Sequence, residues 1–319
     1  MLIPRLASKL RDKRLRSLEL AKIRRNLEKH VFALSAEIGE RNLATYHSLN
    51  QAATYITNVM SESTFKVRPH DYYFKRQLLQ NIVAEKQGTE LPGEIIIIGA
   101  HYDTVINSPG ADDNSSGVAG LLELTRMLDD YESRRTIRIV AFTLEEPPFH
   151  DSPFMGSSVY ARYCHDRKEN VIGMVSLEMI GFYTTKSNTQ HYPRPDMEYR
   201  YPDRGDFIAI VGNQESRELV NKTSECIKLT SSIHVLPFVS VHAMPGISLS
   251  DHAPFWKQGV KAIMVTDTAF FRNPHYHNSD DTYDTLNYDY SAKFLYGFAN
   301  AVKKIDSTGL SDDTTSEDH

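Results

Sequence analysis

Four isoleucines in a row, Ile95, Ile96, Ile97 and Ile98, run into Gly99-Ala100-His101 and constrain this chain more than any other stretch. β-Branched residues favour extended backbone, and successive side chains of a strand point to opposite faces. A strand that is apolar on both faces must be covered on both, as in a sheet between two helical layers. Runs of the same kind at 136–144, 171–178, 207–212 and 261–267 alternate with helical spacing at 115–130, 155–164, 216–229 and 288–305. Two more strands are predicted at 65–74 and 80–86. The alternation predicts an α/β fold, a three-layer sandwich with a mixed, mostly parallel central sheet and helices on both faces.

Residues 8–60 read as helical, with no proline after Pro4. They suggest an N-terminal helical extension over 1–60 that packs on the main domain, 61–306, with an acidic, disordered tail at 307–319. Charge is uneven. Residues 1–30 hold ten Lys and Arg against three acids, while 306–319 hold five acids and no base, within a net charge of −5. The basic start reads as a solvated amphipathic helix rather than a membrane-binding one. An acidic body argues against nucleic acid as a partner. No apolar run reaches 18 residues, so no transmembrane segment is expected. No apolar stretch follows the N-terminal basic residues, so the sequence as given reads as cytoplasmic, and as secreted if a signal has been removed. Oligomeric state is not legible. Two cysteines exclude a disulfide scaffold and a thiolate zinc site.

In open α/β sheets ligands bind beyond the carboxyl ends of the strands. Four predicted strands are followed there by metal-binding residue types: His101 and Asp103, Glu145-Glu146, Glu178, and the segment Pro274-His275-Tyr276-His277. The loop after His101 adds Asp112-Asp113. A buried acidic cluster is costly unless a cation neutralises it, and mixed histidine and carboxylate donors suit zinc or another divalent ion. Donors enough for two ions converge, with a bridging carboxylate expected between them.

These residues resemble peptidase family 28, the co-catalytic zinc exopeptidases of the bacterial leucyl aminopeptidase type. The resemblance rests on Gly99-Ala100-His101-Tyr102-Asp103-Thr104, Pro109-Gly110-Ala111-Asp112-Asp113-Asn114-Ser115-Ser116-Gly117, Glu145-Glu146, Leu177-Glu178-Met179-Ile180-Gly181, Ser250-Asp251-His252 and Pro274-His275-Tyr276-His277. It implies two Zn2+ per chain and a peptide or aminoacyl substrate. His101 and Glu178 would hold one ion, Glu146 and His277 the other, and Asp113 would bridge them through a residue whose bond to Asn114 is cis. Glu145 would be the general base. Asp103 and Asp251 would stand behind the ligands, Asp103 accepting the far ring N–H of His101. The 61–306 domain would then be catalytic and the activity that of an aminopeptidase.

The chain departs from the family pattern in three places. Glu178 stands where aminopeptidases of this family carry Asp. The segment 147–155 is longer than in short relatives, and Phe149, His150 and Phe154 are expected to shape the substrate pocket. Ile247 replaces a tyrosine that assists the oxyanion in one relative, so that either another donor, His242 or Tyr276, serves or the metals suffice. Phe270 and Phe271 are candidates for an apolar specificity pocket. The competing readings are a single-zinc glutaminyl cyclase, against which His101 argues, a carboxypeptidase with the same metal core, and a non-catalytic binding module.

Overall fold

The structure is a computed structural model that describes residues 2–240, 244 and 246–310, with side chains from residue 13 onward. Its helices are α1 (Leu2–Phe32), α2 (Tyr46–Met60), α3 (Gly117–Met127), α4 (Gly156–Asp166), α5 (Arg217–Thr230), α6 (Ala253–Lys257) and α7 (Tyr288–Thr308). Its strands are β1 (Lys66–Phe74), β2 (Gln77–Lys86), β3 (Leu91–His101), β4 (Arg135–Phe142), β5 (Asn170–Glu178), β6 (Phe207–Gly212), β7 (His234–Val239) and β8 (Ala262–Thr266). The strands form one sheet in the order β1-β2-β4-β3-β5-β8-β6-β7. The central run β4-β3-β5-β8 is parallel throughout, and antiparallel pairs join β1 to β2, β2 to β4 and β6 to β8.

The isoleucine run does what its pattern requires. Ile96 and Ile98 face a core shared with Ile23 and Leu27 of α1, Ile56 of α2, Leu121 of α3 and Phe298 of α7. Ile95 and Ile97 face the opposite layer, with Phe142, Tyr160 of α4 and Phe255 of α6. Both faces of β3 are therefore dry from Ile95 to His101. Its carboxyl end, in parallel with that of β5, opens into the site. No described helix is long and apolar enough to cross a membrane.

Strand β7 is absent from the sequence reading because Pro237 interrupts it. It lies at the sheet edge and pairs with β6 alone, the position in a sheet where proline is tolerated. The closing helix runs to Thr308, so the expected tail boundary at 307 falls inside α7, and Leu310 still packs against the core. Residues 311–319 of the expected tail lie outside the described residues.

The helical reading of 8–60 is broken in the middle. After a π-helical turn, Ala33–Ile38, the chain reverses at Gly39 (φ +80°) and carries Arg41 into the interior at 0% exposure. Every guanidinium nitrogen finds an acceptor. Nε donates to the Tyr102 carbonyl at 2.9 Å, and Nη1 to those of Leu34, Gly39 and Pro109 at 2.9, 2.7 and 2.7 Å. Nη2 donates to the Gly110 carbonyl at 3.1 Å and to Ser115 Oγ at 2.9 Å. Burial pushes Arg41 down to about 10, opposed by Asp103 and Asp281, so it stays charged at neutral pH. Arg41 thus ties the N-terminal helices to the end of β3 and to the 109–115 loop. Removing a buried, fully bonded charge leaves its acceptors unpaired, at roughly 3–5 kcal/mol. Arg41→Met is expected to lose at least about 3 kcal/mol of stability, measurable as a lower urea midpoint at unchanged slope.

Candidate metal centre

The side chains that converge beyond the sheet arrive from separate elements. His101 ends β3 and Glu178 ends β5. Glu145 and Glu146 follow β4 after Leu144, whose φ of +57° turns the chain out of the strand. Asp113 lies in the turn Ala111–Ser116 that leads into α3, and His277 lies in the loop between β8 and α7. The Asp113–Asn114 and Pro147–Pro148 bonds are cis.

Asp113 sits at the centre. Its Oδ1 is 3.3 Å from His101 Nε2 and its Oδ2 is 3.2 Å from His277 Nε2. His101 Nε2 also lies 3.5 Å from Glu178 Oε1, and His277 Nε2 lies 3.3 Å from Glu146 Oε2. The donors form two groups, His101–Asp113–Glu178 and Asp113–Glu146–His277, with the atoms of each within 4.8 Å of one another. His101 Nε2 and Glu146 Oε1 are buried without a hydrogen-bond partner among the described residues. A buried unpartnered imidazole nitrogen and carboxylate oxygen match the donor chemistry of a zinc ion, and Asp113 is common to both donor groups.

The electrostatics of the protein groups agree. Burial raises Glu178 to about 7 against the pull of His101, and burial with Asp113 close by raises Glu146 well above the carboxylate range. Burial would raise Asp113 too, but the imidazoles of His101 and His277 beside it outweigh burial and hold Asp113 low. Burial opposes charge on His277, yet Asp113 and Glu146 lift it to about 10. Four carboxylates buried around two imidazoles is an arrangement that added positive charge relieves.

The polar groups behind the cluster differ in part from expectation. His101 Nδ1 lies 3.2 Å from the main-chain carbonyl of Asp103, and the Asp103 carboxylate is further off at 3.5 Å. That carboxylate instead accepts the backbone N–H groups of Glu145 and Glu146, at 3.0 and 3.1 Å, and so clamps the turn that presents both. A proton on Nδ1, donated to that carbonyl, would leave the Nε2 lone pair facing the cluster. Asp251 is fully buried, burial raises it well above its ordinary value, and its oxygens have no hydrogen-bond partner among the described residues. Its neighbour Ser250 makes the ligand contact, donating to Glu178 Oε2 at 2.7 Å. The extra methylene of Glu178 lets one oxygen face His101 while the other takes this bond. Asp281 supports Asp113 by accepting the N–H groups of Asp112 and Asp113 at 2.9 and 3.1 Å.

An apolar cavity of about 110 Å³ adjoins Glu178. Phe270, Phe271 and Tyr276 line it, with Met264, Phe238 and Met197. Tyr276 also stacks on His277, ring centroids 3.7 Å apart. Phe149 and Phe154 are not in this cavity. Both rings pack edge-on against Phe74 of β1, at 4.9 and 5.0 Å. His150 turns to Glu145 instead, with Nδ1 2.9 Å from Oε1. His242, the other candidate donor, lies outside the described residues.

The model of peptidase family M28 matches residues 81–302. Among curated proteins, the chain is 40% identical over 279 residues to the uncharacterized protein YfbL of Escherichia coli K12, covering 85% of each. It spans about half the length of several probable leucine aminopeptidases of fungi that it also matches. Among solved structures, it resembles the zinc aminopeptidase BSAP of Bacillus subtilis (TM-score 0.68, 16% identity, 90% of this chain and 96% of that one). It also resembles the glutaminyl cyclase of Bacteroides thetaiotaomicron (TM-score 0.63, 16% identity, 89% and 97%).

Proposed function

The chain belongs to peptidase family M28, and on that premise we propose that it is a zinc-dependent aminopeptidase that removes N-terminal residues from peptides. One ion would be held by His101, Asp113 and Glu178, a second by Asp113, Glu146 and His277. When bound, such a pair of dications polarises a carbonyl and makes a water acidic near neutral pH. Glu145 is the general base. Its Oε2 lies on the side of the cluster, 4.0 Å from His101 Nε2. There it takes the proton of the attacking water and returns it to the leaving amine. Burial of Glu145 and its neighbours keeps bulk water from competing for that proton. The acidic surroundings suit a protonated substrate α-amine.

The observation that carries this reading is the split of the Asp113 carboxylate, one oxygen to each of two histidines. The test measures zinc per chain and turnover of an aminoacyl amide panel, with and without a chelator. Two zincs and chelator-sensitive release of N-terminal residues are expected. Release only from N-acetylated peptides would make it a carboxypeptidase. Ring closure of an N-terminal glutaminyl peptide with loss of ammonia, at one zinc per chain, would make it a cyclase. The fold likeness admits a cyclase, but His101 within the donor cluster favours the peptidase. Zinc-free protein inert on all substrates would leave a binding module.

The apolar cavity beside Glu178 suits a large apolar N-terminal side chain. Leucine buries three more carbons than alanine, at ~0.8 kcal/mol each, so a leucyl amide should exceed an alanyl amide by tenfold or more in kcat/KM. Equal values would remove the cavity from the substrate site.

A further inference from the structure

Glu145 turns one carboxylate oxygen toward the donor cluster and one away from it. Oε2 faces His101, and Oε1 receives His150 Nδ1 at 2.9 Å. Segment 147–155, which carries this ring, is a chain of turns held on both sides of His150. The N–H of Phe149 donates to the Glu146 carbonyl at 2.9 Å, that of Ser152 to Phe149 at 2.9 Å, and that of Gly156 to Thr143 at 2.7 Å. Phe149 and Phe154 clamp Phe74 from either end of the loop, and the Tyr72 hydroxyl donates to the Phe154 carbonyl at 3.0 Å. Asp151, next to His150, pairs with Lys257 of α6. The loop held in this way carries His150 onto Glu145.

We propose that His150 is a positioning residue, whose Nδ1–H holds Oε1 of Glu145 so that Oε2 is the oxygen left to exchange the proton. The inference rests on the reading of Glu145 as general base. Without that bond the carboxylate can rotate and present either oxygen, or swing out of line. Misplacement of a reacting group by about 1 Å can cost roughly 100-fold in rate. His150 keeps its own proton throughout. Oε2 gains one proton from water and loses it to the amine, so the pair ends each cycle as it began.

The test compares four zinc-loaded proteins: wild type, His150→Phe, His150→Asn and Glu145→Gln. Phenylalanine keeps a ring without a donor, whereas asparagine puts an amide N–H where Nδ1 stands. His150→Phe should lower kcat about tenfold or more at unchanged KM and zinc content, and His150→Asn should recover most of the loss. An unchanged kcat in His150→Phe, or an Asn variant no better than the Phe variant, overturns the proposal. Full activity in Glu145→Gln would sink the general-base reading itself. An inactive Glu145→Gln beside a fully active His150→Phe sinks only the positioning role. The ring 15N spectrum of the zinc-loaded protein tests the bond without turnover. A protonated Nδ1 on His150, shifted by Glu145→Gln, is expected, and a bare Nδ1 overturns the proposal even where no aminoacyl amide is hydrolysed.

Discussion

Glu145→Gln should lower kcat by about 10²–10⁴-fold, the range that a positioned general base supplies. At ~1.4 kcal/mol per decade that is roughly 3–6 kcal/mol of barrier. Glutamine keeps the shape and removes the site that takes the proton. The two donor groups on either side contain no atom of Glu145, so zinc per chain should stay at the wild-type value. A variant that loses zinc together with activity would make Glu145 a ligand and not a base. Stopped assays of a leucyl amide beside metal analysis separate the two outcomes.

Asp113→Asn should have the broadest effect on metal, because both donor groups contain Asp113. Loss of a residue behind a ligand already weakens metal binding by about 10–100-fold, and loss of a shared ligand should exceed that at both positions together. Zinc per chain after dialysis is expected to fall toward zero. His277→Ala should empty only the position that it shares with Glu146. Retention of one full zinc in Asp113→Asn would show that the carboxylate serves a single ion. Activity should fall with the metal in both variants, further in Asp113→Asn.

Legibility in the sequence followed the range of the interactions. The dry strand at Ile95–Ile98 is written in four adjacent residues, and the donors His101 and Glu178 could be found because a strand end fixes where the next side chain goes. Which of those donors share an ion came from family resemblance, since no local pattern relates Asp113 to His277. Strand β7 stayed hidden because Pro237 violates the rule for interior strands, and only sheet order reveals an edge. Arg41 was invisible for another reason. It is a lone arginine beside Glu40, for which exposure is the ordinary expectation, and several of its acceptors are backbone carbonyls more than 60 residues along the chain. Asp281, whose partners precede it by nearly 170 residues, offered no signal either. Ser250 lies in the Ser250-Asp251-His252 motif, but its bond to Glu178 crosses 72 residues and leaves no local pattern. Phe149 and Phe154 read as pocket walls because aromatic residues in a loop can pack inward or line a cleft. The choice was made by Phe74, on a strand expected but not connected to the loop.

The burial of Arg41 has a consequence for how the protein can be cut. A fragment that begins at residue 61 would contain every proposed metal ligand and Glu145, yet the carbonyls of Tyr102, Pro109 and Gly110 would lose their shared donor. The loop that carries Asp113 would then be free to sample other conformations, and metal affinity would fall with it. During synthesis the same dependence sets an order of assembly. The helices that emerge first reach their final packing only after the chain has passed residue 115. One guanidinium thus joins the N-terminal helices to the loop that carries Asp113, and trimming past Arg41 is expected to loosen that loop.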